Sequence, residues 1–333
     1  MRMTLNRPFH WRCSLAGALS ALVGLASPAL AQAQEFPTQP IRWVVGYPQG
    51  GGTDFLARTV GAQMAINLKT PLTVENRPGG SAILAAEYVS HAVPDGYTLF
   101  SADNGVLIYN VAMYKKLPYD SERSFSLLGM MGRSPLVIIA ANNTGIKDAK
   151  TLLERLRAEP GKLAIATPGL GTPHHLATEL FQSEFDVKML HVPYKGGAQA
   201  VQDVVAGRVP LMMLDLPSGM TALKEGKATA LLALSTERIP QLPQVPTAKE
   251  LGYSKVEAYT WQGLVVPAAT PAPVQARLGA ELLKAMADGG VRQRLIAAGW
   301  QVYIEDAAGW VAYTERERQK WHAFIKANNI KLD

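Results

Sequence analysis

Cysteine is all but missing from this chain: 333 residues carry one, Cys13. It falls in the leader segment discussed below, so the exported remainder has no disulfide, no thiol nucleophile and no thiolate metal site. Nucleotide signatures are missing too. Gly46, Gly50, Gly51 and Gly52 make neither Gly-x-x-x-x-Gly-Lys-[Ser/Thr] nor Gly-x-Gly-x-x-Gly. No Gly-x-Ser-x-Gly elbow is present, and Pro217-Ser218-Gly219 does not fit one. Histidines cluster only at His174-His175, and neighbours on a helix point about 100° apart, a poor geometry for joint metal ligation. No metal and no cofactor are expected.

What is present begins with a leader. Arg2, Arg7 and Arg12 form a basic start, Ser14 to Leu25 is an apolar run, and Ala29-Leu30-Ala31 or Ala31-Gln32-Ala33 offers a small-x-small cleavage pattern. Residues 1–31 therefore read as a secretory signal peptide, too short to span a bilayer, and the mature protein is expected in the periplasm. Setting those three arginines aside lowers the 33 basic residues to 30 against 27 acidic ones. A surplus of three argues for neither nucleic acid nor an anionic membrane surface. About 300 residues exceed what one core usually organises, so two α/β lobes are expected.

The stretch Ile41 to Asp54 sets the pattern. Ile41 to Val45 reads as a buried strand, Gly50-Gly51-Gly52 as a turn without Cβ atoms, and Leu56, Val60 and Met64 as one helix face. The first N–H groups of that helix have no intrahelical partner, and its dipole adds positive charge, which suits a carboxylate. Strands at Leu72–Glu75 and Tyr97–Ala102 follow, with Ser81 as helix cap and Leu84 and Val89 on the buried side of that helix. Asp54 reads as a first-turn acid that complements its helix. This alternation indicates a mostly parallel sheet.

Leu136 to Ala141 is predicted as a strand and the first crossing between lobes. The opening pattern then returns: a strand at Leu163–Ala166, a turn at Thr167–Gly171, and Thr172 as N-cap with Pro173 starting a helix. Further strands are predicted at Met189–Val192, Val209–Leu214 and Leu231–Ser235. The proline-rich Ile239–Thr247 reads as an extended surface loop. Tyr259 to Val266 reads as the return crossing, and Trp261 on it is expected to report closure by fluorescence. Helices are predicted at Val274–Ala287 and Trp310–Ala327. The expected division is lobe 1 at 35–133 plus 265–333 and lobe 2 at 134–264, with hinges near 127–136 and 259–266.

Ligands of open α/β sheets sit where the carboxyl ends of strands meet the following helices. Two helix N-termini from different lobes would then face one organic anion across a cleft, with hinge motion closing it in. An exported hydrolase or lyase using His175 and Asp215 is a competing reading, though no nucleophile accompanies that pair. A ligand sensor for a signalling partner, or a free-standing effector domain like those of LysR-type regulators, are others. The leader and the lack of a helix-turn-helix weigh against the last.

The chain resembles a known family at Pro40-Ile41-Arg42, Tyr47-Pro48 to Asp54, Glu75-Asn76-Arg77-Pro78-Gly79, Pro94-Asp95-Gly96-Tyr97-Thr98-Leu99, Lys116-Leu117-Pro118-Tyr119-Asp120, Gly171-Thr172-Pro173-His174-His175 through Phe181, and His191-Val192-Pro193-Tyr194-Lys195-Gly196. These motifs are similar, in order, to those of the Bug receptors, the periplasmic substrate-binding proteins of tripartite tricarboxylate transporters. The resemblance implies the α/β, two-lobed type II periplasmic binding protein fold with two crossing strands and a central cleft. It also implies a non-enzymatic, monomeric receptor that passes a small organic carboxylate to membrane permease subunits. Carried over, the resemblance implicates Gly50, Gly51, Gly52, Thr53 and Asp54 on one side, Gly169, Gly171, Thr172, Pro173 and His174 on the other, and Asp215 in the pocket. The departures at Tyr47, at Gln49 and at Ile83 point to a ligand with an apolar or aromatic body. Asn104, at the polar end of the third strand, completes the candidate set.

Overall fold

The computed structural model describes residues 36–332. The leader and its cleavage pattern lie outside the described residues. Elements follow in the order β1 (Ile41–Val45), α1 (Gly52–Leu68), β2 (Leu72–Asn76), α2 (Ile83–Ser90), β3 (Thr98–Asp103), a π-helical turn (Gly105–Tyr109), α3 (Asn110–Met113) and β4 (Phe125–Ala141). Then come α4 (Ala149–Ala158), β5 (Ala164–Thr167), α5 (Pro173–Phe185), β6 (Leu190–Pro193), α6 (Gly197–Val205), β7 (Leu211–Asp215), α7 (Leu216–Lys224) and β8 (Ala228–Ala233). The chain closes with β9 (Tyr259–Pro267), α8 (Ala272–Ala287), α9 (Gly289–Ala297), β10 (Glu305–Asp306) and α10 (Ala307–Ala327). No helix among the described residues is long and apolar enough to cross a membrane.

One strand joins two half-sheets. The first part of β4, Phe125 to Pro135, pairs antiparallel with β9, which in turn pairs with β3. Its second part, Leu136 to Ala141, lies between β7 and β8. The order is therefore β2-β1-β3-β9-β4 on one side and β4-β7-β5-β6 on the other. The chain returns alongside: Leu136 N–H donates to Ala258 O, and Ala258 N–H to Leu234 O, just before β9 begins. The sheet is not mostly parallel. Parallel pairing holds among β1, β2 and β3 and among β5, β6 and β7. Around β4 and β9 it is antiparallel, because these two long strands carry the chain over and back.

Apolar spacing explains the packing. Leu56, Val60 and Met64 of α1 are fully buried against Ile41, Trp43 and Val45 of β1, in a cluster that also takes Leu278, Leu282 and Met286 from α8. Burying such side chains contributes roughly 1.5–3 kcal/mol each. A second cluster holds Val137 and Ile139 of β4 against Val204 of α6 and Leu216 and Met220 of α7. The proline-rich loop belongs to it: Ile239, Leu242 and Val245 are buried, so the loop seals this core rather than running free over it.

Two local expectations change. Ser81 does not cap α2. Its φ is 52°, Ala82 is the N-cap without a side-chain bond, and the Ser81 hydroxyl instead donates to Leu170 O across the cleft. Leu84 is exposed, while Val89, Ala85 and Ala86 form the buried side. The left-handed turn at Ser81-Ala82 rotates the helix face away from the one that a Ser81 cap would set.

Candidate functional site

Between the half-sheets lies a small cavity of about 130 Å³. Four helices start at its wall. Gly51, Gly52 and Thr53 come from α1, Thr172, Pro173 and His174 from α5, Gly196 to Gln199 from α6, and Asp215 and Ser218 from α7. Each such terminus presents N–H groups without intrahelical partners and a partial charge of roughly +0.5. Local sequence explains the start of α5, where Thr172 is extended, its hydroxyl accepts the His175 N–H at 3.4 Å and Pro173 takes the first helical position.

Several predicted residues meet there. Tyr47, Gly51, Gly52, Thr53, Thr172, Pro173, His174 and Asp215 all line the cavity. Gly52 shows why glycine is required: a Cβ there would stand 2.4 Å from Asp215 Oδ2. Its N–H donates to Ser218 Oγ at 3.1 Å, and the Ser218 hydroxyl donates to Asp215 Oδ2 at 2.9 Å. That chain of bonds links the start of α1 to the start of α7 across the cleft.

Other candidates hold the walls from behind. Asp54 is buried, accepts Gly50 N–H at 3.0 Å and Asn76 Nδ2 at 2.9 Å, and pairs with Arg58. Burial pushes its carboxyl up, but these partners outweigh that and hold it below its usual range. It thus ties down the glycine turn. Gly171 N–H donates to His175 Nδ1 at 3.2 Å, and Gly169 N–H to Thr167 Oγ1 at 3.3 Å. The N–H groups of Gly50, Gly52, Gly169 and Gly171 therefore have internal acceptors in this structure. Gly169 borders an adjoining groove with Gly46, Pro78 to Ser81 and Tyr194, which shares Tyr47, Pro48 and Pro168 with the cavity wall. Ile83 starts α2 with its N–H on Gly80 O. Asn104 is fully buried, donates to Tyr109 Oη and Tyr259 O and accepts the Trp261 N–H, so it pins β9 to the end of β3.

The histidine pairing differs from the expected one. His174, not His175, meets Asp215, with Nε2 and Oδ1 at 2.9 Å. Burial alone would raise Asp215, but the hydrogen bond and charge of His174 and the Ser218 hydroxyl hold the carboxyl below its usual range. Asp215 is thus a carboxylate, Nε2 donates to it, and Nδ1 has no partner among the described residues. His175 turns the other way and stacks on His191, ring centroids 4.6 Å apart. Burial and the neighbouring His191 pull His175 down to about 4, and burial does the same to His191.

Sequence reasoning missed Asp103, Ser218, Gln262 and Trp300, all of which line the cavity. Asp103 ends β3, accepts the Tyr47 phenol at Oδ2 (2.5 Å) and Val106 N–H at Oδ1 (2.9 Å), and is pushed above its usual range by burial. Gln262 stands opposite it on β9 and donates to Thr53 Oγ1 at 2.9 Å. The position of Asp103 at a strand end was a usable signal, but Gln262 and Trp300 enter only through strand pairing and chain return. Trp261 is not in the wall. It is fully buried against Trp310 and Tyr313, so Trp300 is the indole placed to sense a ligand.

Comparison with known proteins agrees with this geometry. The chain is 36% identical over 295 residues to a UPF0065 protein from the tcbD-tcbE intergenic region of a Pseudomonas species, covering 87% of this chain and 86% of that one. It is 29% identical to the protein BugT of Bordetella pertussis, over 95% and 97% of the two chains. Among solved structures, MatC of Rhodopseudomonas palustris with bound malate superposes with a TM-score of 0.82 at 31% identity, over 86% of this chain and 99% of that one. The fold is that of the two-lobed periplasmic binding proteins. The sequence profile described as "Tripartite tricarboxylate transporter family receptor" matches residues 56–330, and the chain belongs to that family.

Proposed function

We propose that this protein is a periplasmic receptor that closes on one small organic carboxylate and delivers it, as a monomer, to the permease subunits of a tripartite tricarboxylate transporter. The observation that carries this reading is the convergence of four helix starts on one cavity at the junction of two half-sheets. Such a wall binds an anion through main-chain donors and dipoles. The malate bound by the similar MatC supports a carboxylate as ligand class. In this reading the lobes comprise residues 36–133 with 265–332, and 134–264, and they rotate about 127–136 and 259–266.

Binding rather than turnover is favoured by the state of Ser218. Its hydroxyl donates to Asp215, a carboxylate held below its usual range and so a weak base, and its oxygen accepts Gly52 N–H, which leaves it poorly activated as a nucleophile. A thermal-shift screen of mono-, di- and tricarboxylates and aromatic acids tests the proposal. At a hundredfold excess over Kd, binding adds about 2.7 kcal/mol of stability. The best acid should then be recovered unaltered after prolonged incubation. Silence across the panel would dismiss the receptor reading, and conversion of the acid would replace it with an enzyme.

A further inference from the structure

The cavity has two chemically different ends. At the helix starts it offers donors: first-turn N–H groups of α1, α5 and α6 other than that of Gly52, which Ser218 holds, joined by the indole N–H of Trp300, which is buried and has no partner among the described residues. At the end of β3 it offers acceptors. Asp103 is buried with both oxygens accepting, from Tyr47 and from Val106, and beside it Gln262 Oε1 is buried without a partner among the described residues. No lysine or arginine is among the described residues that line this cavity, whereas two aspartates are. A carboxylate group of the ligand has an obvious place at the first end. At the second it would meet the Asp103 side chain and an amide oxygen, with no lysine or arginine to offset the repulsion and with His174, which also acts on Asp103, already engaged by Asp215.

Resting on the carboxylate-receptor reading, we propose that the ligand is a carboxylate whose far end donates hydrogen bonds: an amino, hydroxyl or ring N–H group, not a second carboxylate. Asp103 and Gln262 Oε1 receive that donor, and the helix starts hold the acid. A buried acceptor left without a donor is costly, so the pair discriminates against acids whose far end is apolar as well as against dianions. Specificity then lies in β3 and β9, outside the glycine turns that hold the carboxylate.

The test is isothermal titration of the protein purified from periplasm, at neutral pH, with size-matched probes. One set is 4-aminobenzoate, 4-hydroxybenzoate, benzoate and terephthalate; the other is 5-aminopentanoate, 5-hydroxypentanoate, pentanoate and glutarate. In the set that fits, donor-bearing acids should bind at least tenfold more tightly than the dianion and the unsubstituted acid. The amino and hydroxyl members separate a cationic donor from a neutral one. Asp103→Asn should shrink the preference over the dianion several-fold, and Gln262→Leu should shrink the preference over the unsubstituted acid. A dianion that binds as tightly as its donor-bearing partner in wild type overturns this proposal while leaving the receptor standing, even if neither variant folds. If no probe binds, both fall.

Discussion

A single methyl group at Gly52 separates closure of the cleft from stability of the chain. In this structure a Cβ there would stand 2.4 Å from Asp215 Oδ2, which His174 and Ser218 hold in place, and 3.1 Å from Pro217 Cβ, so Gly52→Ala should press the starts of α1 and α7 apart by up to about 1 Å. The Gly52 N–H to Ser218 Oγ bond, 3.1 Å now, then stretches beyond hydrogen-bonding range. Losing it costs about 0.5–1.5 kcal/mol, and the loosened grip of α1 on the ligand adds a comparable amount. A total near 2 kcal/mol weakens ligand binding roughly thirtyfold. A chain whose lobes have moved apart, as the receptor reading requires without ligand, would be free of this contact. Gly52 lies at the first turn of α1 without a positive φ, so alanine there stabilises by about 0.4–1 kcal/mol through the unfolded state. Titration calorimetry with the best-binding acid and scanning calorimetry of the ligand-free protein should therefore move in opposite directions. A dissociation constant within twofold of wild type would refute the reasoning, as would a ligand-free melting temperature that falls.

Other outcomes follow from the same geometry. Ser218→Ala leaves Gly52 N–H and Asp215 Oδ2 short of a partner in the cleft and should weaken binding about tenfold, measured by titration calorimetry. Asn104→Ala strips Tyr259 O, Trp261 N–H and Tyr109 Oη of their partner, which should cost about 2 kcal/mol and lower the melting temperature by several degrees. Because Asn104 does not line the cavity, the dissociation constant should change little. His175 and His191 titrate near 4 in the folded chain against 6.5 unfolded, so the unfolded state binds the protons first. Their contribution is intact above pH 6.5 and falls as pH drops from 6.5 to 4, by on the order of 3 kcal/mol for His175 and less for the more exposed His191. Asp103 and Glu179, both raised by burial, work in the opposite direction over acid pH. Replacing both imidazoles by glutamine should flatten the fall of melting temperature across that window, and an unchanged slope would count against neutral burial. Trp300→Phe should abolish the ligand-induced fluorescence change that Trp261→Phe retains.

Much of this was legible from residue order. The strand, glycine turn and helix at Ile41 to Leu68, and the repeat of that unit with the Thr172 cap and Pro173, follow from local spacing and local hydrogen bonding. These signals act over a few residues, and eight of the predicted site residues line the cavity. Asp54 and Asn104 were recognisable as polar residues at element ends. Their roles as braces depend on Asn76, Arg58, Tyr109 and Tyr259, which only folding brings near.

Local sequence determined the elements, the apolar faces and the anion-favouring helix starts, because backbone propensity and periodicity are short-range. Tertiary structure alone decided which histidine meets Asp215, since Pro173 starts α5 in a phase that sends adjacent side chains in different directions. It also decided the acceptor end of the cavity. Asp103 and Gln262 lie 159 positions apart in the chain and become neighbours through the antiparallel pairing of β3 with β9, a long-range register that no local pattern encodes.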